Sequence, residues 1–258
     1  MERIINLGDY WDAGALRKKA ADIRSLTRAN AEEHRRATQF LSAVRAIDND
    51  GLRTAALCLD TGKIENFAKR LARRELRAGE GKSCPGKEKR RFFSAVSPEG
   101  ISLFYESVRF LCGRIIAVRD EYSPAASLLL KYVKEQALGM GYDVVSCYCP
   151  LRPEEKLEHL FVPELELGFF TENSYHSMPE KADKAIRAKR FYDKGRMAEN
   201  KLRLGFNKRA KKDLIQEAVS RLEAAKAIHD ELEACYAAAM DFDRVQDLAQ
   251  GIAEKILE

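Results

Sequence analysis

Residues 113–149 read GRIIAVRDEYSPAASLLLKYVKEQALGMGYDVVSCYC. RIIAV, at 114–118, is a short apolar run bounded by charge, the pattern of a strand covered on both faces. SLLLKYVKEQALGMG, at 127–141, predicts a helix that ends at Gly139 and Gly141. YDVVSCYC, at 142–149, predicts the next strand. Two strands separated by a helix of this length predict a βαβ crossover and an α/β fold. The turn between the first strand and the helix is DEYSPAAS, residues 120–127. In α/β proteins this turn is where phosphate groups are held.

Working outward, RFFSAVSPEG (91–100) predicts a short strand through Phe92, Phe93 and Val96, then a turn at Pro98 and Gly100. Leu103, Phe104, Val108 and Leu111 form a helical stripe. LRPEEKLEHLF (151–161) is expected as a short helix or loop, and ELELGFFTE (164–172) as a strand. After His176 no further strand is expected. Residues 9–76 and 180–258 are helical in character. RAGEGKSCPGKEKRR (77–91) has three glycines, one proline and no apolar period, and reads as an exposed linker. The expected domains are a helical region at 1–76, a linker at 77–91, an α/β core at 92–179 and a helical hairpin at 180–258.

The 258 residues carry a net charge of +5, too weak to imply nucleic acid unless the charge is clustered. One cluster exists: residues 181–212 hold 13 Lys or Arg against three acidic residues. No apolar run reaches the roughly 18 residues of a membrane helix, and the first 16 residues have no secretory pattern. Six cysteines without a CxxC pair fit a reducing cytoplasm. Alternation puts Val145, Cys147 and Cys149 on one face of a strand, and the two cysteines are expected as buried thiols, with no metal.

LSAVRAIDNDGLRTAALCLDTGKIENFAKRLARREL (41–76) aligns without a gap with LEAAKAIHDELEACYAAAMDFDRVQDLAQGIAEKIL (222–257). Leu41, Ala43, Ala46, Ile47, Asp60, Ala68, Ala72 and Leu76 match Leu222, Ala224, Ala227, Ile228, Asp241, Ala249, Ala253 and Leu257. The shared aspartate sits between two helices, which predicts two helical hairpins of one kind.

Several of these segments resemble a bacterial, Firmicutes-type family of tandem P-loop ATPases. RRFFSAVSPEG, GYDVVSCYCPLRPEEKLEHLFVPELELGFFTENSYH and EAAKAIHDELEACYAAAMDFDRV resemble its second module, and NLGDYWD with the first helical repeat resembles the tail of its first. The resemblance implies a P-loop NTPase-like parallel-sheet core with long helical hairpins before and after it. It also implies a first-module core ahead of this segment, which the chain does not contain.

A phosphate loop requires GxxxxGK[ST], whose glycines let backbone N–H groups face the phosphates while the lysine reaches the outer ones. On that pattern Asp120 and Ala125 stand at the glycine positions, Ala126 at the lysine and Ser127 at the hydroxyl. Asp120 and Glu121 add negative charge and Pro124 removes a donor. The loop positions Asp120, Ser123, Ala125, Ala126 and Ser127 are therefore expected to be inactive. Ser123 or Ser127 is expected to cap the helix rather than hold magnesium. Glu158 and His176 could approach the loop at the strand ends, and are expected as structural residues. His159 and His229 are expected as helix-surface or packing positions.

The expected function is a pseudo-ATPase: an α/β fold kept for interaction or regulation, with no cofactor, and ATP with magnesium only if the ancestral site survives. The helical hairpins would bind a protein partner or a second copy of the chain. One alternative is an ATPase rescued by a partner, by a missing N-terminal module or by another basic residue such as Lys131. The other is nucleic-acid binding through residues 181–212.

Overall fold

The computed structural model describes residues 4–76, 84–179 and 181–257. Residues 77–83 of the expected linker lie outside the described residues. The chain divides into two compact units, one of Met1–Thr38 with Ser220–Glu258, the other of Gln39–Val219.

The larger unit is built on a six-stranded sheet of β1 (Glu88–Arg91), β4 (Arg114–Arg119), β5 (Val144–Tyr148), β6 (Leu157–Val162), β7 (Leu167–Glu172) and β8 (Lys184–Arg187), in the order β1-β5-β6-β7-β4-β8. A separate antiparallel hairpin joins β2 (Ser94–Ser97) to β3 (Gly100–Leu103). β4 lies between β7 and β8, parallel to both. Its Ile116, Ala117 and Val118 are fully buried, which is why the run is apolar without alternation. α4 (Tyr105–Leu111) precedes it. α5 (Pro124–Gly139) follows it, with the proline in the first turn, where its missing N–H costs nothing. Gly141, at φ 84°, turns the chain into β5.

The sheet is covered on both faces. α3 (Thr61–Glu75) and α5 bury Ile64, Ala68, Leu71, Leu129, Leu130 and Val133 against Ile116, Leu160 and Phe169. On the other face Phe93, Val108 and Cys112 pack on Cys147, Phe161 and Phe170.

Four expectations need correction. The sheet is mixed rather than parallel, because β6 runs antiparallel to both β5 and β7. β6 itself falls in the stretch read as helix or loop. Glu88–Arg91, read as linker, is an edge strand parallel to β5. Strands do not stop at His176, since β8 extends the α/β core to Arg187.

The long helices are α2 (Ala20–Ala56) and α7 (Lys201–Ala237), preceded by the short α1 (Ala13–Lys18) and α6 (Lys194–Glu199), and α7 is followed by α8 (Phe242–Leu257). Both expected hairpins form. Asp60 caps α3 by accepting the Lys63 N–H, and Asp241 caps α8 by accepting the Arg244 N–H. The smaller unit takes residues 4–38 and 220–257, and the larger takes 39–76 and 188–219. Among the described residues no helix is long and apolar enough to cross a membrane.

Candidate functional site

The loop at the end of β4 is held by its own aspartate. Ala126 N–H, in the first turn of α5, donates to Asp120 Oδ2 at 2.9 Å. The Tyr192 hydroxyl donates to the same carboxylate, at 2.9 Å from Oδ1, and accepts the Ala125 N–H at 3.3 Å. Ser123 takes a left-handed conformation, φ 75°, which lets the chain fold back over the carboxylate. Burial pushes the Asp120 carboxyl above its ordinary range, against the pull of the Ala126 N–H and the Tyr192 hydroxyl. Burial and the neighbouring Asp120 together push the Tyr192 hydroxyl well up.

Neither serine caps α5 with its side chain, contrary to expectation. Asp120 takes that place from the strand end. Ser127 Oγ instead accepts the Leu157 N–H at 3.1 Å and ties the helix to the start of β6. Ala125 and Ala126 are buried against the sheet. Tyr192 is the residue that sequence reasoning missed, because no local pattern links it to a loop 72 positions away.

Tyr192→Phe removes a donor from the buried carboxylate and strands the Ala125 N–H. The expected loss is about 1–3 kcal/mol in urea unfolding, the usual range for a buried group left unpaired. A loss near zero would mean that the hydroxyl is not part of the cap.

Beside this loop lies a cavity of about 110 Å³ at the carboxyl ends of β4, β5 and β7, where ligands of α/β proteins gather. Ion pairs line it. Lys156 reaches Glu158 at 3.1 Å and Asp48 at 3.8 Å, and Lys211 reaches Asp48 at 2.5 Å. Lys208 pairs with Glu121 at 2.6 Å. Burial works against the Lys156 ammonium, but the Glu158 and Asp48 carboxylates hold it charged, above the ordinary lysine range. Burial likewise opposes the Asp48 carboxylate, and Lys156 with Lys211 pulls it below its usual range.

A β-bulge positions Glu158. Cys147 pairs with His159 while Tyr148 pairs with Leu157, so Glu158 is the extra residue. Leu157 consequently shares a core with Leu160 and Val162, whereas Phe161 joins the other face. His159 is a fully buried strand residue, edge-on to Phe93 and tilted against Phe170, so of the two expected placements it takes the packing one rather than a helix surface. Burial pushes both His159 and His176 below the ordinary imidazole range, so both are neutral.

Glu158, His159 and His176 bring three possible metal-ligand atoms within 4.8 Å of one another, all buried. His159 Nδ1 accepts the Thr171 N–H at 3.3 Å, which leaves the ring proton on Nε2. Nε2 is then a donor, and a histidine that ligates a metal through it needs the opposite arrangement. Lys156 already occupies one oxygen of Glu158. His176 Nδ1 stands 4.0 Å from Glu158 Oε2, too far for a direct bond. The set suits a bridging hydroxyl or water oxygen better than a bare cation. His159 Nε2 and His176 Nδ1 have no hydrogen-bond partner among the described residues.

Four cysteines, Cys58, Cys112, Cys147 and Cys149, are buried free thiols. Burial pushes Cys147 up to about 12 and Cys149 and Cys112 to about 11, so they are held as thiols rather than reactive thiolates.

No family model matches this chain, nor does any curated protein or solved structure.

Proposed function

We propose that the chain is a cytoplasmic pseudo-ATPase: a P-loop-like α/β protein that neither binds nor hydrolyses nucleoside triphosphate at residues 120–127, and acts by engaging a protein partner. One observation carries the reading. The N-terminus of α5, the position a phosphate would take, is filled by the Asp120 carboxylate. A triphosphate would have to expel a buried, hydrogen-bonded carboxyl group and then stand beside Glu121, with Ala126 in place of a lysine. Isothermal titration with Mg-ATP is expected to give no binding at micromolar concentrations. Sub-micromolar binding overturns the proposal.

The nucleic-acid reading is less favoured because cations of the basic block are engaged. Lys184 pairs with Glu75, Arg203 with Asp50, Lys208 with Glu121 and Lys211 with Asp48. Each phosphate contact they could make would first require breaking an ion pair. Free buried thiols support the reducing compartment.

A further inference from the structure

The internal repeat is wider in the fold than in the sequence. The short 3-10 helices Leu7–Tyr10 and Ala188–Phe191 are separated by 181 positions (188 minus 7). The same shift carries α1 onto α6, α2 onto α7 and the start of α3 onto the start of α8. It also carries the boundary between the units, after Thr38, onto the boundary after Val219. Hydrogen bonds obey it too. Asp12 N–H donates to Ala239 O at 2.8 Å, and Asp193 N–H donates to Cys58 O at 2.8 Å. Asp241 N–H donates to Tyr10 O at 3.0 Å, and Asp60 N–H to Phe191 O at 2.9 Å. The isolated bridges Trp11–Met240 and Leu59–Tyr192 are the same pair under the shift.

Each unit therefore holds one helical assembly of a single design. In the larger unit that assembly is seated on the α/β core. In the smaller unit the corresponding surface is open. On α3, Ile64, Ala68, Leu71 and Ala72 are 0–2% exposed against α5 and the sheet. Their counterparts on α8 are Val245, Ala249, Ile252 and Ala253, every one apolar and none buried. Ala188, with no exposure, corresponds to Leu7 at 48%. Ile186, which lies in β8 beside β4 and is 7% exposed, corresponds to Ile5 at 42%.

We infer that this face of the smaller unit is the docking surface for a second α/β core of the same build as residues 84–187. The occupant is specified by the repeat: the identical helical design elsewhere in this chain already carries such a core. Two contacts would be remade. A helix like α5, lined with small and aliphatic residues, would pack along Val245, Ala249 and Ile252. A parallel strand like β4 would pair with the segment around Ile5, as β4 pairs with β8. This names the partner surface of the interaction role proposed above, and rests on that role but not on the state of the nucleotide loop. Failure of the Mg-ATP titration and failure of the docking are separate results.

The test supplies the occupant from the chain itself. The full chain is extended by replacing residues 1–3 with a second copy of residues 84–184, so that the added core runs into Ile4 in the register in which Lys184 runs into Ala185. Amide hydrogen exchange across residues 242–255 is then compared with that of the original chain. Seating of the core is expected to slow exchange there by about ten-fold or more, and Ile252→Asp is expected to abolish that gain. In the original chain Ile252→Asp is expected to leave the melting temperature unchanged, whereas Leu71→Asp, at the corresponding position, is expected to unfold the larger unit. Unchanged exchange in the extended chain, whether the added core is folded or not, overturns the inference. So does a loss of melting temperature with Ile252→Asp in the original chain.

Discussion

Lys156→Met is expected to lower stability by about 3–5 kcal/mol, the range for removing one partner from a buried ion pair. Methionine keeps the length and apolar stem of lysine, so the effect isolates the ammonium. Lys156 is 6% exposed, Glu158 4%, and the ammonium is 3.1 Å from Glu158 Oε1. Without it Glu158 has no cation within reach among the described residues, except a histidine that burial keeps neutral. Asp48 keeps Lys211 and loses less. The double variant Lys156→Met, Glu158→Gln is expected to recover much of the loss, because it removes the stranded charge. Urea unfolding of the wild type and of the single and double variants measures this. A single-variant loss under about 1 kcal/mol would mean that the pair is solvated in solution and that the site is wetter than its geometry indicates.

That cluster was only partly legible in the sequence, and the reason is physical. Glu158 and His176 were placed near the strand ends by the segments that contain them. Lys156 and Asp48 carried no signal, because a charged residue reads as solvent-exposed unless its partner is known, and Asp48 arrives from α2. The strand that presents Glu158 was missed for a related reason. KLEHLFV has charged and polar residues inside its apolar run, and the bulge at Glu158 breaks the alternation on which a strand reading depends. RIIAV and YDVVSCYC were legible because strands covered on both faces need largely apolar sequence, and ELELGFFTE was legible from its alternation, although only Leu167–Glu172 form the strand. KAIR, in β8, was not legible, since only Ile186 of its four residues is buried.

The loop itself divides the same way. The losses at Asp120, Ala125 and Ala126 could be read against the phosphate-loop pattern, but the sign given to Asp120 was incomplete. As a charge beside a phosphate it is repulsive. As the group that satisfies Ala126 N–H it is part of the fold, supported by a tyrosine from beyond β8. The paired aspartates Asp60 and Asp241 were legible because helix capping is local. The exchange of helical halves between the two units was not, because it depends on which hairpin turn meets which incoming segment.

Gly86→Ala is expected to cost about 3 kcal/mol, the upper part of the range for overpacking, and to release β1 from the sheet. Gly86 lies in the stretch whose glycines and proline suggested an exposed linker. Its N–H donates to Leu138 O at 2.8 Å, and a Cβ there would meet Tyr142 O at 1.9 Å and Tyr142 C at 2.3 Å. Those are backbone atoms of the α5–β5 turn. The turn is fixed by Tyr142 N–H donating to Ala137 O and by a buried Tyr142 side chain. Neither side can yield as a flexible side chain would. The next residue is also committed: Lys87 N–H donates to Asp143 Oδ1 at 2.7 Å, and Val144 N–H to Lys87 O at 2.9 Å. Moving Gly86 therefore shifts the register that begins at Glu88 and Val144. β1 has little else to hold it. Its residues are mostly exposed charges, suited to an edge that must not recruit another strand. Its side-chain anchors include Glu88 on Lys134 at 3.1 Å and on the Tyr148 hydroxyl at 3.2 Å, and Arg90 over the Tyr148 ring at 4.8 Å. Urea unfolding gives the stability change, and amide exchange at residues 88–91 reports the strand. Retained protection at those amides, with a loss under about 1 kcal/mol, would show that the close approach is not required and that the glycine serves only the turn.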